Sequence, residues 1–427
     1  MKLSYASVLV SVILGSASLV SSSPIKQHKK MTMGAAKGQA MGAAYFITNE
    51  DTGNFVVSAD IGTDGKLNLR QALFTGGFGQ HGDDGAATPG PDGTFTQGAV
   101  KVSAASNMLA TVNPGSNTLS LFAINPADPS NLKQVGLPVS SGGEFPVSVA
   151  FNSAGSTLCA VNGGEVNGVN CFKVDQTKGL VPISGTNRDL GLNQTTPANG
   201  PPGTVSHIVF SEDGSKLIAS VKGVPPTPGF LAIWDVAADG SLSQDFQSLQ
   251  PANGGLLPFS MTLIKGKNAI LATDAGIGFD IFDFNAAGNA GNGSAVVAAG
   301  QSSANAIDGQ VATCWSSFSP KTGNFYLTDI GTSMVTEVNV DDSLKGTLVK
   351  QYPQGNGTST IDNDIASVGD NDFMYVLQPG NTAVSVLSLN APGQAQNVQS
   401  LDIAGPAKAA GLTVGISLQG MTTFIKK

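Results

Sequence analysis

An all-β fold, a seven-bladed β-propeller closed into a ring, is what this 427-residue sequence predicts, and three observations carry the prediction. A strand-turn-strand unit recurs about every 50 residues, close to the period of propeller blades. The composition is rich in turn formers and poor in charge. The two ends of the chain hold complementary parts of one unit.

The repeat is clearest in two copies. Val147-Ser-Val-Ala-Phe-Asn-Ser-Ala-Gly-Ser-Thr-Leu-Cys-Ala-Val-Asn162 aligns with Ser206-His-Ile-Val-Phe-Ser-Glu-Asp-Gly-Ser-Lys-Leu-Ile-Ala-Ser-Val221 through the same Phe, Gly and Leu. Each runs on into a third strand, 170–175 or 231–236. Weaker copies occupy 100–123, 259–284, 313–340 and 365–389. Glu212-Asp-Gly214, Ala238-Asp-Gly240 and Asp64-Gly65 supply residues that tolerate the left-handed region strand turns require. With 54 Gly, 22 Pro and only 12% charged residues, against roughly 25% charged in an average globular chain, the composition suits many short strands joined by tight turns.

Residues 44–69 contain the later strands of a blade, Tyr45-Phe-Ile-Thr48 and Phe55-Val-Val-Ser-Ala59, with no inner strand before them. Thr413-Val-Gly-Ile-Ser-Leu-Gln-Gly-Met-Thr-Thr-Phe424 supplies it. Completing the N-terminal blade with a C-terminal strand removes the open sheet edge and locks the ring. A tandem of β-sandwiches would need a linker or composition break, and none is visible.

Met1 to Ser23 reads as a secretory signal: Lys2, an apolar run from Val8 to Leu19, then small residues at 21–23. Residues 24–43 form a tail with Lys26, His28, Lys29 and Lys30, read either as a dibasic processing segment or as a solvated arm, and 44–427 is one propeller domain. No further stretch has the roughly 18 apolar residues of a membrane span. The expected location is secreted, extracellular or cell wall. Sequons at Asn193, Asn292 and Asn356 agree with export. Cys159 and Cys171 flank a hairpin and predict a cross-strand disulfide, leaving Cys314 as a buried thiol. The net charge of −8 and pI of about 4.8 repel phosphate backbones and anionic membranes. A monomer is expected.

The Phe-Ser-x-Asp-Gly-x-x-Leu pattern at this period resembles the lactonase-type seven-bladed propellers, which include fungal 3-carboxy-cis,cis-muconate lactonizing enzymes (carboxymuconate cyclases) and 6-phosphogluconolactonase-like proteins. The resemblance spans the chain from about Ala44. It implies interconversion of a small carboxylic acid and its lactone in the central channel, with a small anionic substrate. Secreted relatives of this kind are also met as antigens and adhesins, which implies a second reading: a non-catalytic cell-wall glycoprotein binding an extracellular glycan or protein.

Lactonization needs a proton donor and cations to hold carboxylates. The family uses His, Glu and Arg near the channel; the expected set here is His207 at the start of an inner strand, Arg188 and Glu144. The arginines are Arg70 and Arg188 alone, a thin inventory for a tricarboxylate. Family members carry a His-x-His just before this strand, where this chain has Thr204 and Ser206. No cofactor is required; the acids Asp308, Asp362 and Asp364 at strand entries are the weaker alternative, either a Ca²⁺ site or turn caps. The polar loop 76–93 with His81, Asp83 and Asp84 reads as a site lip or a mobile insertion. No Gly-x-Ser-x-Gly elbow or phosphate loop is present.

Overall fold

The computed structural model describes residues 30–35, 38–284 and 302–427; the predicted signal segment and Asn292 lie outside them. Seven antiparallel sheets follow one another along the chain, and their inner strands touch in ring order until the last meets the first. These inner strands are Gln419–Ile425 (blade 1), Val100–Ser103, Pro146–Phe151, Val205–Phe210, Pro258–Ile264, Thr313–Ser319 and Asn363–Val368 (blade 7).

The repeat is explained by register. Phe151 stands opposite Leu158, and Phe210 opposite Leu217, so the Phe and Leu of the motif are a cross-strand pair closing the first hairpin of a blade. Between them Gly155 and Gly214 take φ of 67° and 73°, a conformation that costs a side chain but not glycine. In blade 4, the Asp213 carboxylate accepts from Ser211, the Ser215 backbone N–H and the Ser215 hydroxyl. These bonds, led by Ser211, hold its carboxyl down at about 2. The third strand of these blades supplies large core residues, Phe172, Trp234 and Phe282, all buried.

The ring closes as expected, at a slightly different place. The closing strand is Gln419–Ile425, paired antiparallel with Gly42–Ile47. Residues 413–418 are not strand, because the helix Ala404–Ala410 ends at Gly411 with φ of 72° and the chain turns again where the Leu418 N–H bonds Gly415 O. The propeller also begins before Ala44. Gly42 and Ala43 are already strand, and Lys30–Thr32 adds a fifth strand to blade 1 by pairing with Gln71–Leu73, with Met31 buried. The outer strands, such as Ala395–Asp402, were absent from the expected repeat: they are polar and half-exposed, so no apolar alternation marks them.

Cys159 and Cys171 are direct partners across the hairpin and form the disulfide, Cα–Cα 4.0 Å. Cys314 is a buried thiol, with its ionisation pushed well up by burial.

Phe424, buried on the closing strand, tests the ring closure: Phe424→Ala should lower unfolding free energy by about 3 kcal/mol in denaturant titration, and a change under about 0.5 kcal/mol, the size expected of a surface substitution, would mean that this strand does not hold the ring.

Candidate functional site

A propeller's inner strands leave one edge facing the channel, so their backbone N–H groups need partners there. Equivalent N–H groups in successive blades, fixed as equivalent by their register, are met in turn. Val149 N–H goes to Gly98 O; Ile208 N–H to Ser148 Oγ, 3.3 Å; Met261 N–H to His207 Nδ1, 3.0 Å; Ser316 N–H to Gln97 Oε1, 3.1 Å. His207 is therefore the blade 4 member of a series of interblade braces. It is 2% exposed. Burial, helped by the Lys101 charge, keeps its ionisation well below the usual histidine range. With Nδ1 accepting, the proton of the neutral ring sits on Nε2, which is buried without a partner among the described residues.

The entry end of the channel, where the inner strands begin, is filled by the chain itself. Residues 92–98, the tail of the loop between blades 1 and 2, cross the mouth and bond to the inner strands of four other blades. Thr96 Oγ1 donates to Val147 O (2.9 Å) and Gln97 N–H to Ser206 O (3.0 Å). Trp315 Nε1 donates to Thr96 O (2.9 Å), and Gln97 Nε2 to Ser316 O (3.0 Å). Gln419 Nε2 reaches Asp92 Oδ1 (2.9 Å), Thr96 O (3.2 Å) and Asp362 Oδ2 (2.9 Å). Asp92 and Phe95 hold φ of 64° and 57°, a sparsely populated region for non-glycine residues. Loop 76–93 is thus a lip, with His81 edge-on to Phe95 and both its ring nitrogens on carbonyls, Gly82 O at 2.6 Å and Gly90 O at 2.7 Å. Asp83 and Asp84 cap turns within it.

Asp92 of the plug joins a buried cluster with Lys222, Gln419 and Asp362, which sequence reading missed in all but Asp362. Lys222 Nζ spends its three donors on Phe95 O (2.8 Å), Val205 O (3.2 Å) and Ser206 Oγ (2.6 Å), and sits 4.6 Å from the centre of the Phe259 ring. Burial lowers its ionisation, opposed by the nearby Asp92. Burial likewise raises Asp92, opposed by the Gln419 bond and Lys222. Asp362 is pushed up to about 8 by burial and by Asp92, against the Gly420 N–H that it accepts at 2.8 Å. Burial thus favours its protonated form. Its Oδ1 and Gln419 Oε1 have no hydrogen-bond partner among the described residues. One signal for Lys222 was available: a charge at a position where blades 3, 5 and 6 carry Gly163, Ala275 and Ile330.

The structure does not bring the expected set together by hydrogen bonding. Arg188 donates to Ser243 O, Asn187 O and Leu242 O. Glu144 accepts from Thr196 at 2.5 Å. Arg70 pairs with Asp60 at 2.5 Å and approaches Asp128. Of the acids considered for a metal, Asp308 is exposed. Asp362 and Asp364 instead accept separate backbone N–H groups of the closing strand, Gly420 and Thr423 (2.7 Å). That is a cap set rather than the six or more oxygens Ca²⁺ gathers, and among the described residues no three His, Cys, Asp or Glu cluster as metal ligands. Asn193 and Asn356 are exposed.

The model of the family described as lactonase, seven-bladed β-propeller matches residues 75–193. No curated protein matches the sequence. Among solved structures, the periplasmic gluconolactonase of Pseudomonas aeruginosa is 16% identical, with a TM-score of 0.60 over 90% of this chain and 100% of that one. A candidate 6-phosphogluconolactonase of Bacteroides fragilis is 12% identical, TM-score 0.57, over 91% and 100%. A protein of unknown function from Desulfotomaculum acetoxidans is 13% identical, TM-score 0.56, over 88% and 98%. At these identities the likeness is one of fold.

Asp362 gives a pH test. Its folded-state value of about 8 lies above the unfolded value near 4, so its contribution to stability is full below about 4 and is lost as pH rises through 8. Between pH 5 and 8 the stability of Asp362→Asn should gain on the wild type by on the order of 1 kcal/mol per unit. A constant difference in denaturant titrations across that range would show Asp362 to be ionised throughout.

Proposed function

We propose, taking the chain as a seven-bladed propeller of the lactonase type, that it is a secreted binding module whose channel is closed at the entry mouth. The observation that carries this reading is the plug 92–98. It fills the mouth where a channel enzyme needs an accessible acid and a free cation, and the Lys and His beside it are already engaged. Lys222 gives all three donors to the chain, and His207 has its accepting nitrogen on Met261. The disulfide and the exposed sequons Asn193 and Asn356 support export.

A second reading is favoured by one specific observation. Asp92, Asp362 and Lys222 have ionisation displaced toward neutrality together, the pattern that acid–base sites show. On this reading the lip lifts and a lactone enters. Water attacks the ring carbonyl carbon as the Asp92 carboxylate takes its proton; the ring C–O bond breaks as the neutral Asp362 gives its proton to the ring oxygen. The product is the open hydroxy acid, and an acid of pKa about 8 makes the rate fall above that pH.

One set of measurements separates the two. Protein collected from the medium of a eukaryotic host, where endoglycosidase treatment should shift its mobility, is incubated with δ-gluconolactone and with 3-carboxymuconate. The binding reading expects turnover no faster than Asp362→Asn. Turnover that drops at least 100-fold in Asp362→Asn, as loss of a general acid does, would replace it with the catalytic one. Retention on a glycan or matrix-protein array no greater than that of a control propeller would count against the binding module.

A further inference from the structure

Toward the opposite end of the channel a cavity of about 330 Å³ lies against the later halves of the inner strands of blades 2 to 5, walled by Val102, Val149, Phe151, Val209 and Leu263. That is at the small end of ligand pockets. One cation, Lys101, lines it. Lys101 is half-buried on the inner strand of blade 2, and its side chain makes no hydrogen bond or ion pair among the described residues.

We propose that this cavity binds a small amphiphilic carboxylate, its acid group on Lys101 and its hydrocarbon part against the apolar wall. Among the described residues no carboxylate forms an ion pair with Lys101; Asp362 and Asp364 act on its charge from a distance, and a ligand carboxylate in direct contact would relieve its partial desolvation. The nearby Asp364, whose charge interacts with that of Lys101, gives Oδ1 to the Ile365 N–H and Oδ2 to the N–H and hydroxyl of Thr423. Glu212, at the rim, accepts from Gly266 N–H. The wall, mostly apolar with one cation, favours an acid with a hydrocarbon tail over a bare anion such as phosphate. A larger groove of about 570 Å³ on the same side offers no such cation, because its lysine, Lys216, is paired with Asp235. The proposal is independent of whether the entry mouth turns over a lactone, since none of its residues belongs to the plug or the cluster it joins.

Titration calorimetry with octanoate, octanol and octylamine on the whole protein tests it. Octanoate should bind, octanol more weakly, and octylamine not at all. Lys101→Met should weaken octanoate roughly tenfold to a hundredfold, as loss of a charge-assisted contact does, and Lys101→Arg should restore most of it. Val209→Trp, which fills the cavity while keeping the cation, should abolish binding. Circular dichroism checks that each variant is folded. Equal affinity for octanoate and octanol, no octanoate binding at millimolar concentration, or unchanged affinity in folded Lys101→Met would each overturn the site.

Discussion

Closing seven sheets into a ring turns seven inner edges toward one axis, and the backbone N–H groups on those edges must be satisfied there. An unpaired buried N–H costs about as much as a lost hydrogen bond, so seven unmet edges would cost more than a domain's whole margin of stability. This chain answers with a relay. Gly98 O, Ser148 and His207 each take the equivalent N–H of the following inner strand, Gln97 takes that of blade 6, and Asp362 and Asp364 take two backbone N–H groups of the closing strand.

The plug 92–98 is part of that relay rather than an ornament on it. Its carbonyls and side chains reach blades 3, 4 and 6 and the closing strand, while Lys222 ties Phe95 O to the start of blade 4. The same bonds that satisfy the edges also fill the mouth and bury the titratable cluster. Stability and chemistry therefore compete for the same groups. That competition explains why residues with displaced ionisation can be present without an accessible site, and why the opposite end of the channel, with Lys101 in no ion pair among the described residues, offers the simpler place for a ligand.

What was legible in the sequence was what is local. Phe151 with Leu158 and Phe210 with Leu217 pair across short hairpins, so the blade signature survives in a single stretch of chain, and the Cys159–Cys171 bridge lies within one such hairpin. The closing strand was legible because a blade without an inner strand is visibly incomplete. The cluster was not, because its contacts join distant parts of the chain: Gln419 meets Asp92 across 327 residues, and Gln97 meets Ser316 across 219. Loop 76–93 could not be told from a mobile insertion, since the Gly and Asp that make its turns are the residues a mobile loop would also carry. The placing of His207 depended on a register irregularity between Val205 and His207, which strand alternation alone does not reveal. Of the acids singled out beforehand, Asp362 does lie in the cluster, as a buried, hydrogen-bonded carboxyl.

The central claim is that 92–98 is a fixed part of the ring. Amide hydrogen exchange tests it most directly, because protection reports how often the segment leaves its partners. The amides of Phe95, Thr96 and Gln97, each bonded in the structure, should exchange as slowly as the braced Met261 amide of blade 5. Exchange at the rate of the exposed stretch 86–89 of the same loop would show that the mouth opens freely, and the sealed-channel account would fail.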